Sequence, residues 1–133
     1  MIRVTIDCVV VKDPELAFSK AGKPWLKARC VSNERKKDSN GQWVDGDATY
    51  FDVVTFGKAA ETIAESDIAK GSRLTVMGNL TNNEWEDDDG NKRSTLKVMA
   101  DHIGAELLFT PYRKVEGDSG HRPAAEVTDD APF

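Results

Sequence analysis

A chain of 133 residues has room for one well-packed domain and too little for two. With 39% hydrophobic and 31% charged residues it suits a water-exposed globular domain, and its longest apolar run, Cys8 to Val11, falls far short of the roughly 20 residues that a membrane-spanning helix needs. The net charge of −5 has the wrong sign for a simple polyanion binder; Arg113 to Phe133 holds three basic and five acidic residues, which leaves −3 on the rest, so any anion-binding surface must come from segregation of charge between faces.

The spacing predicts a strand from Ile2 to Val11, with Val4, Ile6, Cys8 and Val10 on one face and Arg3, Thr5 and Asp7 on the other. Lys12-Asp13-Pro14 breaks it, and Ser19 to Pro24 is turn-rich. A second strand from Trp25 to Ser32 places Leu26, Ala28 and Cys30 inward, which turns Trp25, Lys27, Arg29 and Val31 outward. Asn33 to Gly46 is polar, with Arg35-Lys36-Lys37, Asn40-Gly41 and Asp45-Gly46, and reads as a long hairpin connection projecting a basic cluster from the core. Thr49 to Phe56 is rich in aromatic and β-branched residues, with Tyr50, Asp52, Val54 and Phe56 on one face and Phe51, Val53 and Thr55 on the other. Gly57 ends that strand. Lys58 to Ala69 switches to helical spacing, and Gly71 stands where a left-handed cap would close a helix.

Arg73 to Trp85 returns to strand alternation, grouping Leu74, Val76, Gly78 and Leu80 and directing Trp85 away from them. Asp87 to Asn91 makes a turn, and Ser94 to Ile103 forms the last strand, in which Leu96, Val98 and Ala100 alternate with Thr95, Lys97 and Met99. Beyond about residue 110 the composition shifts to Gly, Asp, Ser, Pro, Ala and Glu without periodicity, which predicts a disordered acidic tail over 111–133 after a folded domain over 1–110. Three strands, a helix and two strands fit an all-β fold, the five-stranded oligonucleotide-binding (OB) barrel, with the helix between strands 3 and 4. Cys8 and Cys30 lack a CxxC spacing and read as buried thiols of a reducing compartment; no apolar signal segment follows Met1, so the expected location is the cytoplasm.

Chemistry of several kinds is missing. Neither Gly57-Lys58 nor Gly22-Lys23 completes a phosphate loop, and a calcium-loop register ending its turn at Gly90 would put Trp85 and Leu96 at ligand positions. His102 and His121 stand apart, and no serine or cysteine has an activating partner in sequence. The expectation is therefore no catalytic residue, no metal and no cofactor. A nuclease using Asp87 to Asp89 is the weakest of the rival readings.

An aromatic and basic set remains: Trp25 with Lys27 and Arg29, Tyr50 and Phe56 on the third strand, Trp85 with Lys92 and Arg93, and Arg35, Lys36 and Lys37 beside Trp43. Bases stack on aromatic faces while Lys and Arg follow phosphates, so this combination suits single-stranded nucleic acid. Each member has a plainer reading. Tyr50 or Phe56 could be core, Trp25 could cover a barrel end or a subunit contact, and the basic cluster could be a solvated loop tip. The alternative for the whole is a protein-interaction module on the same barrel.

Asp13-Pro14-Glu15-Leu16, the run Phe51 to Glu61, Lys70-Gly71-Ser72-Arg73, Gly78-Asn79-Leu80 and Trp85-Glu86-Asp87 resemble, in order, signatures of bacterial and phage single-stranded-DNA-binding proteins. The end, Asp129-Asp130-Ala131-Pro132-Phe133, is similar to that family's acidic tip. The resemblance implies an OB fold, commonly a homotetramer, that coats single-stranded DNA in replication, recombination and repair. On it Tyr50, Phe56 and Trp85 match stacking positions, with Trp25 and Trp43 as further candidates. Arg35, Lys36, Lys37, Lys92 and Arg93 would meet phosphates from the hairpins, joined by Lys27, Arg29 and Arg73. The tip Asp129, Asp130, Ala131, Pro132 and Phe133 would present a terminal Phe to replication and repair proteins. Where a glycine commonly precedes Asp-Pro-Glu, this chain has Cys8-Val9-Val10-Val11.

Overall fold

A computed structural model describes residues 1–108 and Pro111. The expected tip, Asp129 to Phe133, lies outside the described residues, as does the rest of the expected tail apart from Pro111. The elements run β1 (Ile2–Val10), β2 (Glu15–Phe18), β3 (Pro24–Lys37), β4 (Trp43–Phe56), α1 (Gly57–Ala64), β5 (Arg73–Glu86) and β6 (Lys92–Ala105). The sheet order is β1-β5-β6-β4-β3-β2, and a further pairing of β1 with β3 closes five of the strands into a barrel. All ladders are antiparallel except β4 with β6, which is parallel. No helix among the described residues is long and apolar enough to cross a membrane.

The alternation read from sequence holds over most of the barrel; the departures are Val54, buried although parity groups it with Tyr50 and Phe56, and a register shift in the β5–β6 ladder between Met77 and Gly78. Val10, Leu26, Cys30, Phe51, Val53, Val76 and Val98 are the largest fully enclosed side chains, drawn from all five closing strands. Ala60 of α1 is buried with them, and Ile63 and Ile68 pack against the cluster. Burying such side chains is worth roughly 1.5–3 kcal/mol each, and this supplies most of the drive to close the sheet. Cys8 and Cys30 belong to this core as free thiols. A hydrogen bond with Cys30 and burial push the Cys8 thiol well up, so it stays protonated.

Four expectations need correction. Glu15–Phe18 forms a short strand on the edge of β3, because Ser19 to Lys23 turns the chain back on itself. The polar connection 33–46 is largely strand: β3 runs to Lys37 and β4 begins at Trp43, leaving a tip of only 38–42. Cross-strand pairing sustains these arms despite their polar composition, as tertiary pairing commonly overrides β-propensity. The last strand is likewise longer than expected, from Lys92 to Ala105. The helix is shorter, ending at Ala64 with Glu65 as its cap rather than Gly71. Asp13 Oδ1 accepts from the Lys70 amide at 2.8 Å and the Val10 carbonyl accepts from Gly71 at 2.7 Å, so the chain after Glu65 is tied to the end of β1. The Asp-Pro-Glu and Lys-Gly-Ser-Arg signatures thus meet in space.

One turn design serves the three hairpins among the described residues. Ser19, Asp38 and Asp87 each accept an amide bond on their carbonyl from the glycine three residues on, Gly22, Gly41 and Gly90. Each also accepts on its side-chain oxygen from the residue four on. Gly41 and Gly90 have φ of 77° and 79°, a left-handed region in which a side chain would be strained.

Candidate nucleic-acid interface

Register decides which side chains share the outer face. Tyr50 lies opposite Val31, Asp52 opposite Arg29, and Phe56 opposite Trp25. Asp52 is also in register with Lys97 of β6, and Lys97 lies opposite Thr81 of β5. The β5–β6 register runs unbroken from Gly78 to Glu86, so Trp85 projects from the same face as Thr81. Between Asn33 and Arg35 the β3–β4 ladder slips by one residue. That bulge brings odd-numbered Trp43 to the side of even-numbered Tyr50, an outcome that simple alternation would not give.

The aromatic rings are presented to solvent. Trp43 is 60% exposed, Phe56 56%, Tyr50 51% and Trp85 46%, so none of these is core. Trp25 is half-buried, in register with Ala17 of β2 on one side and Phe56 of β4 on the other. Two cations sit over rings: Arg29 lies 5.7 Å from the centre of Tyr50 and Lys37 Nζ 5.3 Å from the centre of Trp43. Such contacts hold aromatic planes in place at about 0.5–1 kcal/mol each when exposed.

The candidate phosphate contacts divide into two groups. Arg29 donates to Asp52 Oδ1 at 3.3 Å, Arg35 to Asp45 at 2.7 Å and Arg93 to Asp87 at 3.0 Å, so these arginines are pre-positioned by carboxylates. Lys27, Lys36, Lys37 and Lys92 are exposed, with no ion pair among the described residues. Arg73 opens β5, where it lies opposite Val9 of β1, at the far end of that strand from Trp85. Hydrogen bonds from the amide of Asn91 and from the Arg93 side chain hold the Asp87 carboxyl below the usual aspartate range. Among the described residues no group of three or more His, Cys, Asp or Glu is arranged to hold a metal.

Lys97 was not among the site residues expected from sequence. Its position between Leu96 and Val98, both turned inward, carried the signal, because alternation faces it outward; the β4–β6 register then places it beside Asp52.

A closed five-stranded barrel that exposes aromatic rings among lysines and extends two long hairpin arms from one face defines an OB-fold protein. Residues 1–105 match the Single-strand binding protein family, and the chain belongs to that family. It is 37% identical over 107 residues to the single-stranded DNA-binding protein of Corynebacterium glutamicum, a match covering 80% of this chain and 47% of that one. With the single-stranded DNA-binding protein of Mycobacterium tuberculosis it shares 32% identity over 135 residues, covering 96% of this chain and 82% of the relative. The chain thus spans about half the length of the first relative and most of the second. Among solved structures, the small single-stranded DNA-binding protein from Streptomyces coelicolor superimposes with a TM-score of 0.70 at 25% identity, over 80% of this chain and 94% of that one.

Proposed function

We propose that the outer face of β3, β4, β5 and β6, with its two arms, binds single-stranded DNA without a fixed target sequence. The carrying observation is the exposure of Trp43, Tyr50, Phe56 and Trp85 on a surface that also presents Lys27 and Lys37, with Lys36 and Lys92 exposed on the reverse sides of the two arms. Stacking tolerates any base, while the cations replace counterions along the strand. Trp85, Tyr50 and Phe56 are the principal stacking residues, with Trp43 added by the first arm and Trp25 in register beside Phe56. Lys27, Arg29, Arg35, Lys36, Lys37, Arg73, Lys92 and Arg93 are the phosphate contacts. The role is that of a binding protein rather than an enzyme, coating exposed strands in replication, recombination and repair in the cytoplasm.

In this reading the barrel works as a homotetramer over a domain of residues 1–110, and the tip Asp129 to Phe133 recruits replication and repair proteins through its acidic pair and terminal Phe. The relatives' names support single-stranded DNA as the ligand. Anisotropy of a labelled thymidine oligomer, with single-stranded and duplex competitors over a salt series, tests the binding. Competition by the single strand alone, weakening as salt rises, is expected; equal competition by duplex would contradict it. Deleting Asp129 to Phe133 should spare DNA binding while abolishing partner capture, and loss of both would refute that division.

A further inference from the structure

Asp52 is out of place on a surface built for a polyanion. It lies on the outer face of β4, two residues from Tyr50 and four from Phe56. Its side chain is only 19% exposed, with Arg29 on one side and Lys97 in register on the other. Arg29 holds its Oδ1 at 3.3 Å and at the same time lies over the Tyr50 ring. Among the described residues Oδ2 takes no protein donor. Ring, guanidinium and carboxylate therefore form one continuous surface, with a half-sheltered acceptor left open at its centre.

We infer that Asp52 reads bases on this face and favours guanine. The inference rests on the proposed binding of single-stranded DNA and adds a preference to it. Alternate residues of a strand stand roughly 7 Å apart, so the edge of a base stacked on Tyr50 reaches the neighbouring carboxylate. A carboxylate only accepts hydrogen bonds. Guanine places N1–H and the N2 amino group side by side on one edge, two donors matched to one carboxylate. Thymine offers a single N3–H between two carbonyl acceptors, which the charge repels. Cytosine and adenine, with one amino donor each, fall between. Partial burial sharpens the choice, because a sheltered acceptor left unpaired is more costly than one in water. Arg29 is the positioning residue in this arrangement: it fixes the carboxylate and the ring in a common frame.

The full chain can be titrated with labelled 30-mers of repeated thymidine-thymidine-guanosine and of the same sequence with inosine replacing guanosine. Inosine keeps the purine stack and N1–H but lacks the N2 amino group, so stacking strength is held nearly constant. The wild-type protein should bind the guanosine repeat at least about threefold more tightly, as one added hydrogen bond gives. Asp52→Asn should remove that difference while binding a thymidine 30-mer more tightly, because an anion has been taken from the path. Equal affinity of the wild type for the two repeats would overturn the inference whatever the variant does, and so would discrimination that survives in Asp52→Asn. Failure to bind any of these oligomers would overturn the proposed function itself.

Discussion

The two arms of the barrel share a backbone and differ in charge. The β3–β4 arm and the β5–β6 arm are each built from two 14-residue strands. Each closes on an aspartate whose Oδ1 accepts the amides two and four residues on. At the first tip Asp38 is followed by Ser39 and Asn40, and the strand before it delivers Lys36 and Lys37 to solvent. At the second, Asp87 is followed by Asp88 and Asp89, and its remaining oxygen holds Arg93. One turn chemistry thus produces two arms that each hold an arginine on a carboxylate, Arg35 on Asp45 and Arg93 on Asp87. Only in the second is that carboxylate the turn aspartate itself, and among the described residues the first presents two lysines outside any ion pair, Lys36 and Lys37, to the second's one, Lys92. Geometry fixes where an aromatic or a cation is presented; neighbouring carboxylates fix how readily that cation accepts a phosphate.

The largest way to break the comparison is to loosen the root that both arms share. Phe51 is fully buried and lies in register with Cys30 of β3 and Leu96 of β6. Phe51→Ala should cost about 3–5 kcal/mol in denaturant unfolding, and a loss below 1 kcal/mol would mean that Phe51 is not the keystone described. Next comes the aromatic of the second arm: Trp85→Ala should weaken binding of a thymidine oligomer by about 1–3 kcal/mol with the fold intact by circular dichroism. On the first arm, Lys36→Glu with Lys37→Glu should lower affinity about tenfold at low salt and flatten the salt slope by about 1.4. An unchanged slope would remove that arm from the phosphate path.

The smallest effect separates the arms most finely. Asp38→Ala and Asp87→Ala each remove the turn acceptor, yet only the second frees an arginine. Asp87→Ala should therefore raise affinity about two- to threefold, whereas Asp38→Ala should not. Equal outcomes would show that Arg93 takes no part in binding. Acid should act in the same direction as Asp87→Ala on the tip. The folded pKa of Asp87 is depressed, so its support for the second turn is present above the ordinary aspartate value of about 4 and is lost as pH falls through the lower folded value. Amide exchange at Asn91 should accelerate in that window relative to the pH trend of an unstructured amide.

Much of this was legible in the residues because strand alternation is local. Leu26, Ala28 and Cys30 against Trp25, Lys27 and Arg29, or Phe51 and Val53 against Tyr50, follow from a period of two and need no tertiary knowledge. Trp43 was not legible in the same way, since its side depends on a one-residue slip that sequence parity cannot reveal. The length of the arms was hidden for a related reason: Glu34 to Lys37 and Trp43 to Ala48 have loop-like composition, and only their pairing makes them strands. The shortened helix reflects distant partners, Val10 and Asp13, that capture the amides of Gly71 and Lys70. Gly78 was grouped with inward residues by parity, but its necessity comes from the Met99 carbonyl of β6, with which a Cβ there would collide.

The most direct test of the central claim is tryptophan fluorescence during titration with a thymidine oligomer, repeated at several salt concentrations and with a duplex control. Strong quenching by the single strand alone, falling as salt rises and reduced in Trp85→Ala, is the result this account requires. Unchanged emission together with no binding by anisotropy would contradict it, leaving the barrel a fold shared with DNA-binding relatives and its exposed aromatics a surface for protein partners.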